Sequence, residues 1–125
     1  MKRIETAQAP AAIGPYSQAI EKNGFLFVSG QIPLDPATGE IVGTNAAQQI
    51  ERCLKSLAAV AEAAGTSLSK TVKTTLLLTD LAEFATVNDV YTQFFSEPYP
   101  ARACYQVVAL PKGVRVELEA IIAMD

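Results

Sequence analysis

Apolar periodicity divides this chain into more strand than helix, and that imbalance limits its fold more than any motif does. Two stretches have helical spacing. Ile50, Leu54, Leu57, Ala61 and Ala64 step by four, three, four and three, and Phe84, Val87, Tyr91 and Phe94 by three, four and three. Each stretch therefore presents one apolar face. Asn45 with Gln48, and Asp80 with Glu83, stand in capping-box register ahead of them. Gly65 stops the first helix, and Pro98 and Pro100 forbid extension of the second. The other apolar runs are short: 17–21, 25–29, 71–79, 101–108 and 114–123, with a brief edge at Ile41-Val42. Asn23-Gly24 marks a tight turn between the first two, and Gly30 ends the second. Residues 110–113 read as a hairpin joining the last two, and residues 1–16 as mostly irregular. The expected order is ββ(β)αβαββ in a single α+β domain, residues 1–125. Two helices can cover only one face of a sheet of five to six strands. Residues 25–28 and 76–78 are apolar on both sides, so the second face is expected to meet another subunit.

Composition supports that reading. Half of the residues are apolar and the mean hydropathy is +0.21, high for so short a chain. The net charge of −3 and pI of about 4.9 make nucleic acid an unexpected partner. Cys53 and Cys104 lack the spacing of a disulfide framework or a zinc site. There is no histidine, so a transition-metal site is not expected, and neither a GxGxxG nor a P-loop is present to cradle a phosphate. Residues 1–6 lack the apolar core of a signal peptide and no apolar run has membrane-spanning length, so a cytoplasmic location without membrane contact is expected.

Without histidine, acid–base chemistry falls to Glu, Tyr, Cys or water. Arg102 opens the apolar segment 99–108, which reads as a buried strand after a proline turn, and such a strand seldom carries a cation without an anionic partner. Glu117 and Glu119 in the next strand share one face, and Arg102, Cys104 and Gln106 share one face of theirs. Arg102 therefore reads as half of a structural ion pair, as a cation capping a strand at the surface, or as the anchor of a pocket for a small organic acid. Cys104 is a pocket wall or a small buried hydrophobe, and a poor nucleophile without a histidine base. Gly30 ends a strand where a ligand could approach the backbone closely, or is a turn glycine. Tyr16 follows the Gly14-Pro15 turn and reads as packing. Asn88 reads as part of a solvated helix face.

The segments Gly14-Pro15-Tyr16-Ser17-Gln18-Ala19, Ser29-Gly30-Gln31-Ile32-Pro33, Asp80-Leu81-Ala82-Glu83-Phe84-Ala85-Thr86-Val87-Asn88, Pro100-Ala101-Arg102 and Val116-Glu117-Leu118-Glu119-Ala120 together resemble the RidA family. It is also called the YjgF or reactive intermediate/imine deaminase family. The resemblance spans almost the whole chain. It implies a chorismate-mutase-like two-layer sandwich: a mixed, mostly antiparallel sheet with two helices on one face, assembled as a homotrimer around a central barrel with clefts between subunits. It implies hydrolysis of 2-imino and enamine acids such as 2-aminoacrylate, 2-iminobutanoate and 2-iminopropanoate to 2-keto acids and ammonia, without a cofactor. By this resemblance Arg102 grips the substrate carboxylate, Glu117 positions the attacking water and Cys104 contacts the ligand through its backbone. Tyr16, Gly30 and Asn88 would complete the pocket, with part of the wall from a neighbouring subunit. Residues 96–101 form a shorter loop than in many relatives. Two alternatives from other classes are a non-catalytic, carboxylate-binding or chaperone-like trimer and, against the acidic charge, a ribonuclease.

Overall fold

The computed structural model describes residues 1–125 and contains one six-stranded mixed sheet and two helices. In chain order these are β1 (Lys2–Ile4), β2 (Ala19–Lys22), β3 (Phe25–Gln31), α1 (Ala46–Ala64), β4 (Thr71–Leu78), α2 (Phe84–Thr92), β5 (Ala101–Gln106) and β6 (Val116–Ala123). The strands lie in the order β1-β2-β3-β6-β4-β5. No helix is long and apolar enough to cross a membrane.

Local chemistry accounts for most element ends. Asn23 and Gly24, with φ of 53° and 81°, form the tight turn between β2 and β3, a conformation most side chains resist. The Asn45 side chain accepts from Gln48 N at 2.9 Å and so caps α1. The Gln48 side chain returns to Thr44 N rather than to Asn45, which widens the expected box by one residue. Gly65, with φ of 88°, closes α1 by donating to the Ala61 and Glu62 carbonyls. Asp80 caps a single 3-10 turn, Leu81–Glu83, by accepting from Ala82 N. Glu83 does not complete that box, because its carboxylate pairs with Arg115 at 3.0 Å.

Four expectations fail. Residues 110–113 do not join a hairpin: β5 pairs parallel to β4 at the sheet edge, and β6 pairs antiparallel with both β3 and β4. The cause is α2. A helix between β4 and β5 makes a crossover, which leaves the two strands parallel, and the chain then returns past β4 to fill the central slot. As a result, 99–108 is not a buried strand but an exposed edge. Residues 2–4, read as irregular, pair with β2, and Gly30 lies within β3 rather than ending it.

Both helices pack on one face. Leu26, Leu76, Leu118 and Ile122 from the sheet, with Ile50, Leu54, Leu57 and Val60 from α1, are fully buried between the layers. The alternate residues point the other way. Phe25, Phe27 and Tyr105 are 41%, 44% and 57% exposed, so the helix-free face carries large apolar side chains left uncovered in one chain, as the periodicity predicts.

Candidate active site

Arg102 lies on β5 directly opposite Thr74 of β4. Thr74 is fully buried and bonded to the Tyr91 hydroxyl at 2.7 Å, so this row faces the helices. The guanidinium carbon sits 4.8 Å above the Tyr91 ring and 5.3 Å from that of Phe84, within cation–π range of both. One amino group donates to Asn88 Oδ1 at 2.8 Å. No carboxylate meets Arg102: the ion pairs of the chain are Arg3–Glu5, Lys55–Glu51, Lys70–Asp125 and Arg115–Glu83. Within one chain, Arg102 is therefore not half of an ion pair. The cation is exposed, held on two rings and one amide, with donors to spare. It borders a cleft of about 430 Å³ lined by Asn88, Tyr91, Thr92, Tyr99, Pro100 and Arg102.

Glu117 lies elsewhere. It pairs with Leu77 of β4, between the rows of Leu118 and Val116, both fully buried against the helices. Its side chain therefore points to the helix-free face, with Glu119. Burial pushes its pKa up from 4.5, and the like charge of Glu119 adds to the shift. The carboxylate lies against Gly30. Gly30 and Tyr16 in turn border one apolar pocket of about 290 Å³, with Ile13, Ile32 and Leu34. The Tyr16 hydroxyl accepts from Ile13 N at 3.3 Å, which pins the ring over the 13–16 turn.

The six expected site residues thus form two groups. Arg102, Asn88 and Cys104 belong to the helix side of the edge strand. Glu117, Gly30 and Tyr16 belong to the opposite side of the sheet. Within one chain, Arg102 and Glu117 do not face a common ligand. Cys104 packs beside the core, and its thiol is pushed up from 9.0 by burial, against the pull of Arg102. Cys53 is raised further, again by burial. Burial thus disfavours the thiolate at both cysteines.

The bed of Arg102 escaped sequence reasoning. Phe84 and Tyr91 look like core positions of an amphipathic helix, and Thr74 like a strand filler. One signal was available: a tyrosine on an apolar helix face needs a partner for its hydroxyl. Burial pushes the Tyr91 phenol up from 10.0, although Thr74 and Arg102 both oppose the shift.

Residues 6–124 match the family model described as endoribonuclease L-PSP. The chain is 66% identical over 121 residues to "RutC family protein y4sK" of Sinorhizobium fredii, covering 97% of this chain and 96% of that one. The chain belongs to the RidA/YjgF/RutC family. Another RidA-family relative, from Bos taurus, is named 2-iminobutanoate/2-iminopropanoate deaminase; it is 51% identical over 96% of this chain and 88% of its own. The crystal structure of the family member TdcF of E. coli with bound serine matches with a TM-score of 0.94 at 44% identity, covering 100% of both chains. The α+β architecture of a six-stranded mixed sheet and two helices is therefore the RidA-family fold.

Proposed function

We propose that this chain hydrolyses reactive 2-imino and enamine acids, including 2-aminoacrylate, 2-iminobutanoate and 2-iminopropanoate, to 2-keto acids and ammonia. The observation that carries the reading is Arg102: a guanidinium positioned by Asn88, Tyr91 and Phe84 at the rim of a cleft, with no carboxylate of its own. A permanent cation fixed in this way matches a planar carboxylate in two parallel hydrogen bonds. The substrate class comes from the bovine relative's name, and the serine in TdcF supports an amino-acid-sized ligand.

The two half-sites lie on opposite faces of one sheet, so this reading needs a second subunit, and the family resemblance makes the working unit a homotrimer. Its clefts join the Arg102 face of one subunit to the Glu117 face of the next, and the apolar helix-free faces pack together at its centre. Arg102 holds the carboxylate and thereby fixes C2. An enamine such as 2-aminoacrylate first takes a proton at C3 from solvent and becomes the 2-imino acid. Glu117 then orients a water and takes one of its protons as the oxygen bonds to C2, while the C2–N π electrons move to nitrogen, which is protonated. In the second half, a proton passes to the nitrogen, the C2–N bond breaks with its electron pair leaving on ammonia, and the hydroxyl loses its proton to give the ketone. A carboxylate with a raised pKa is a stronger base than a solvated one. Cys104 contributes a backbone contact and Tyr16 a wall.

The test is a coupled assay in which a dehydratase generates 2-iminobutanoate. Arg102→Ala removes two charge-assisted hydrogen bonds of about 1.5–3 kcal/mol each, so kcat/KM should fall by roughly two to four orders of magnitude. The oligomer mass should not change. Full activity in that variant would remove Arg102 from the mechanism. The bound serine of TdcF also suits a second reading, a non-catalytic small-carboxylate binder. On that reading wild-type protein would bind 2-ketobutyrate but leave the rate of keto-acid appearance unchanged.

A further inference from the structure

We propose that Gly30 is a positioning residue: its missing side chain forms the seat on which the Glu117 carboxylate rests. The inference builds on the role given above to Glu117. A β-carbon added at Gly30 would overlap Glu117 Oε2 and lie 2.9 Å from Cδ and 3.3 Å from Cγ. The whole end of the glutamate therefore lies over the glycine's α-carbon.

A bulge brings the two together. Between Val28, opposite Ala120, and Gln31, opposite Leu118, β3 carries one residue more than β6. Val28 and Gln31 are both buried although they stand three positions apart, a spacing that regular alternation would place on opposite faces. The extra residue resets the alternation, and position 30, next to inward-facing Gln31, falls on the face of Glu117.

The usual reasons for a glycine are missing here. Gly14, Gly24, Gly39, Gly43, Gly65 and Gly113 have positive φ, and Gly30 does not, so alanine suits its backbone. The three atoms nearest to such a methyl group all belong to the Glu117 side chain, which can swing away without moving the backbone. No ion pair holds the carboxylate, so the empty space above Gly30 decides where it rests. Alanine at this position exchanges a placed carboxylate for a displaced one at little cost to folding.

The test compares Gly30→Ala, Glu117→Gln and the double variant for kcat, KM, oligomer mass and thermal midpoint. A misplacement of about 1 Å can cost about 10²-fold in rate. Gly30→Ala should therefore lower kcat by one to two orders of magnitude, on the order of that cost, with KM, mass and thermal midpoint close to wild type. Adding Gly30→Ala to Glu117→Gln should cost nothing further. If the glycine instead lets ligand approach its own backbone, Gly30→Ala will raise KM, and equally so in the Glu117→Gln background, which overturns the proposal. Wild-type kcat in Gly30→Ala also overturns it, as does a variant that fails to assemble, since the methyl group would then collide with more than a side chain. Full activity in Glu117→Gln would strike the underlying role of Glu117, an outcome separable from all of these.

Discussion

Burial and the neighbouring Glu119 both disfavour the charged form of Glu117, so its pKa in the folded chain is raised from 4.5. Between 4.5 and the raised value, the folded state binds more protons than the unfolded state. The stabilisation is complete below 4.5 and is lost as pH rises through the folded pKa. Catalysis has the opposite sign, because a base must be ionised to accept a proton from water. Thermal unfolding of wild type and Glu117→Gln, measured from pH 4 to pH 8, should show the variant gaining relative stability as pH rises, while wild-type kcat/KM rises over the same window. A difference in midpoint that stays constant with pH would contradict the assignment. The glutamate was legible as a candidate from its place two residues before Glu119 in an apolar strand. Its contact with Gly30 was not, because a bulge one residue long leaves no periodic trace.

Helix α2 spans only Phe84–Thr92, yet it supplies every group seen holding Arg102. Asn88 accepts from the guanidinium through its amide oxygen, and Phe84 and Tyr91 supply their rings. Tyr91 is also tied down through Thr74, so the platform under the cation is anchored to the central sheet. Two substitutions separate these roles. Tyr91→Phe keeps the ring and loses the buried hydrogen bond, which should cost stability by about 1–3 kcal/mol with little change in KM. Tyr91→Leu also removes the cation–π contact, worth about 0.5–2 kcal/mol, and should raise KM by roughly two- to thirty-fold as well. Equal KM values in steady-state assays of the two variants would show that the ring does not position Arg102. The helix itself was readable from its 3-4-3 spacing. That its apolar face serves the cation as well as the core was not, because spacing identifies a face but not the strand lying across it.

Across the whole molecule, the decisive feature is the sheet that separates Arg102 from Glu117. A catalytic site using both must take them from different subunits, and this has a consequence for mixtures. Arg102→Ala and Glu117→Gln proteins, each inactive, should recover activity when unfolded together and reassembled. Random assortment should restore both residues in about one cleft in four, so recovery should approach about a quarter of wild-type kcat. No recovery in mixed trimers, verified by mass, would place both residues in one subunit's site. The same uncovered face explains why so short a chain is so apolar: Phe25 and Phe27 alternate with the fully buried Leu26 and the buried Val28, as a strand covered on both sides requires.

The sequence alone determined the two helices with the Asn45 cap and Gly65 stop, most strands, the Asn23-Gly24 turn, the apolar second face and the family. These depend on side-chain spacing and turn chemistry within a few residues of one another. Only the tertiary structure decided that β6 lies between β3 and β4, that β5 is an exposed edge, and that Arg102 and Glu117 face opposite ways. Strand order and register depend on pairings between residues far apart in the chain, and one bulge or one crossover reverses which side a residue faces.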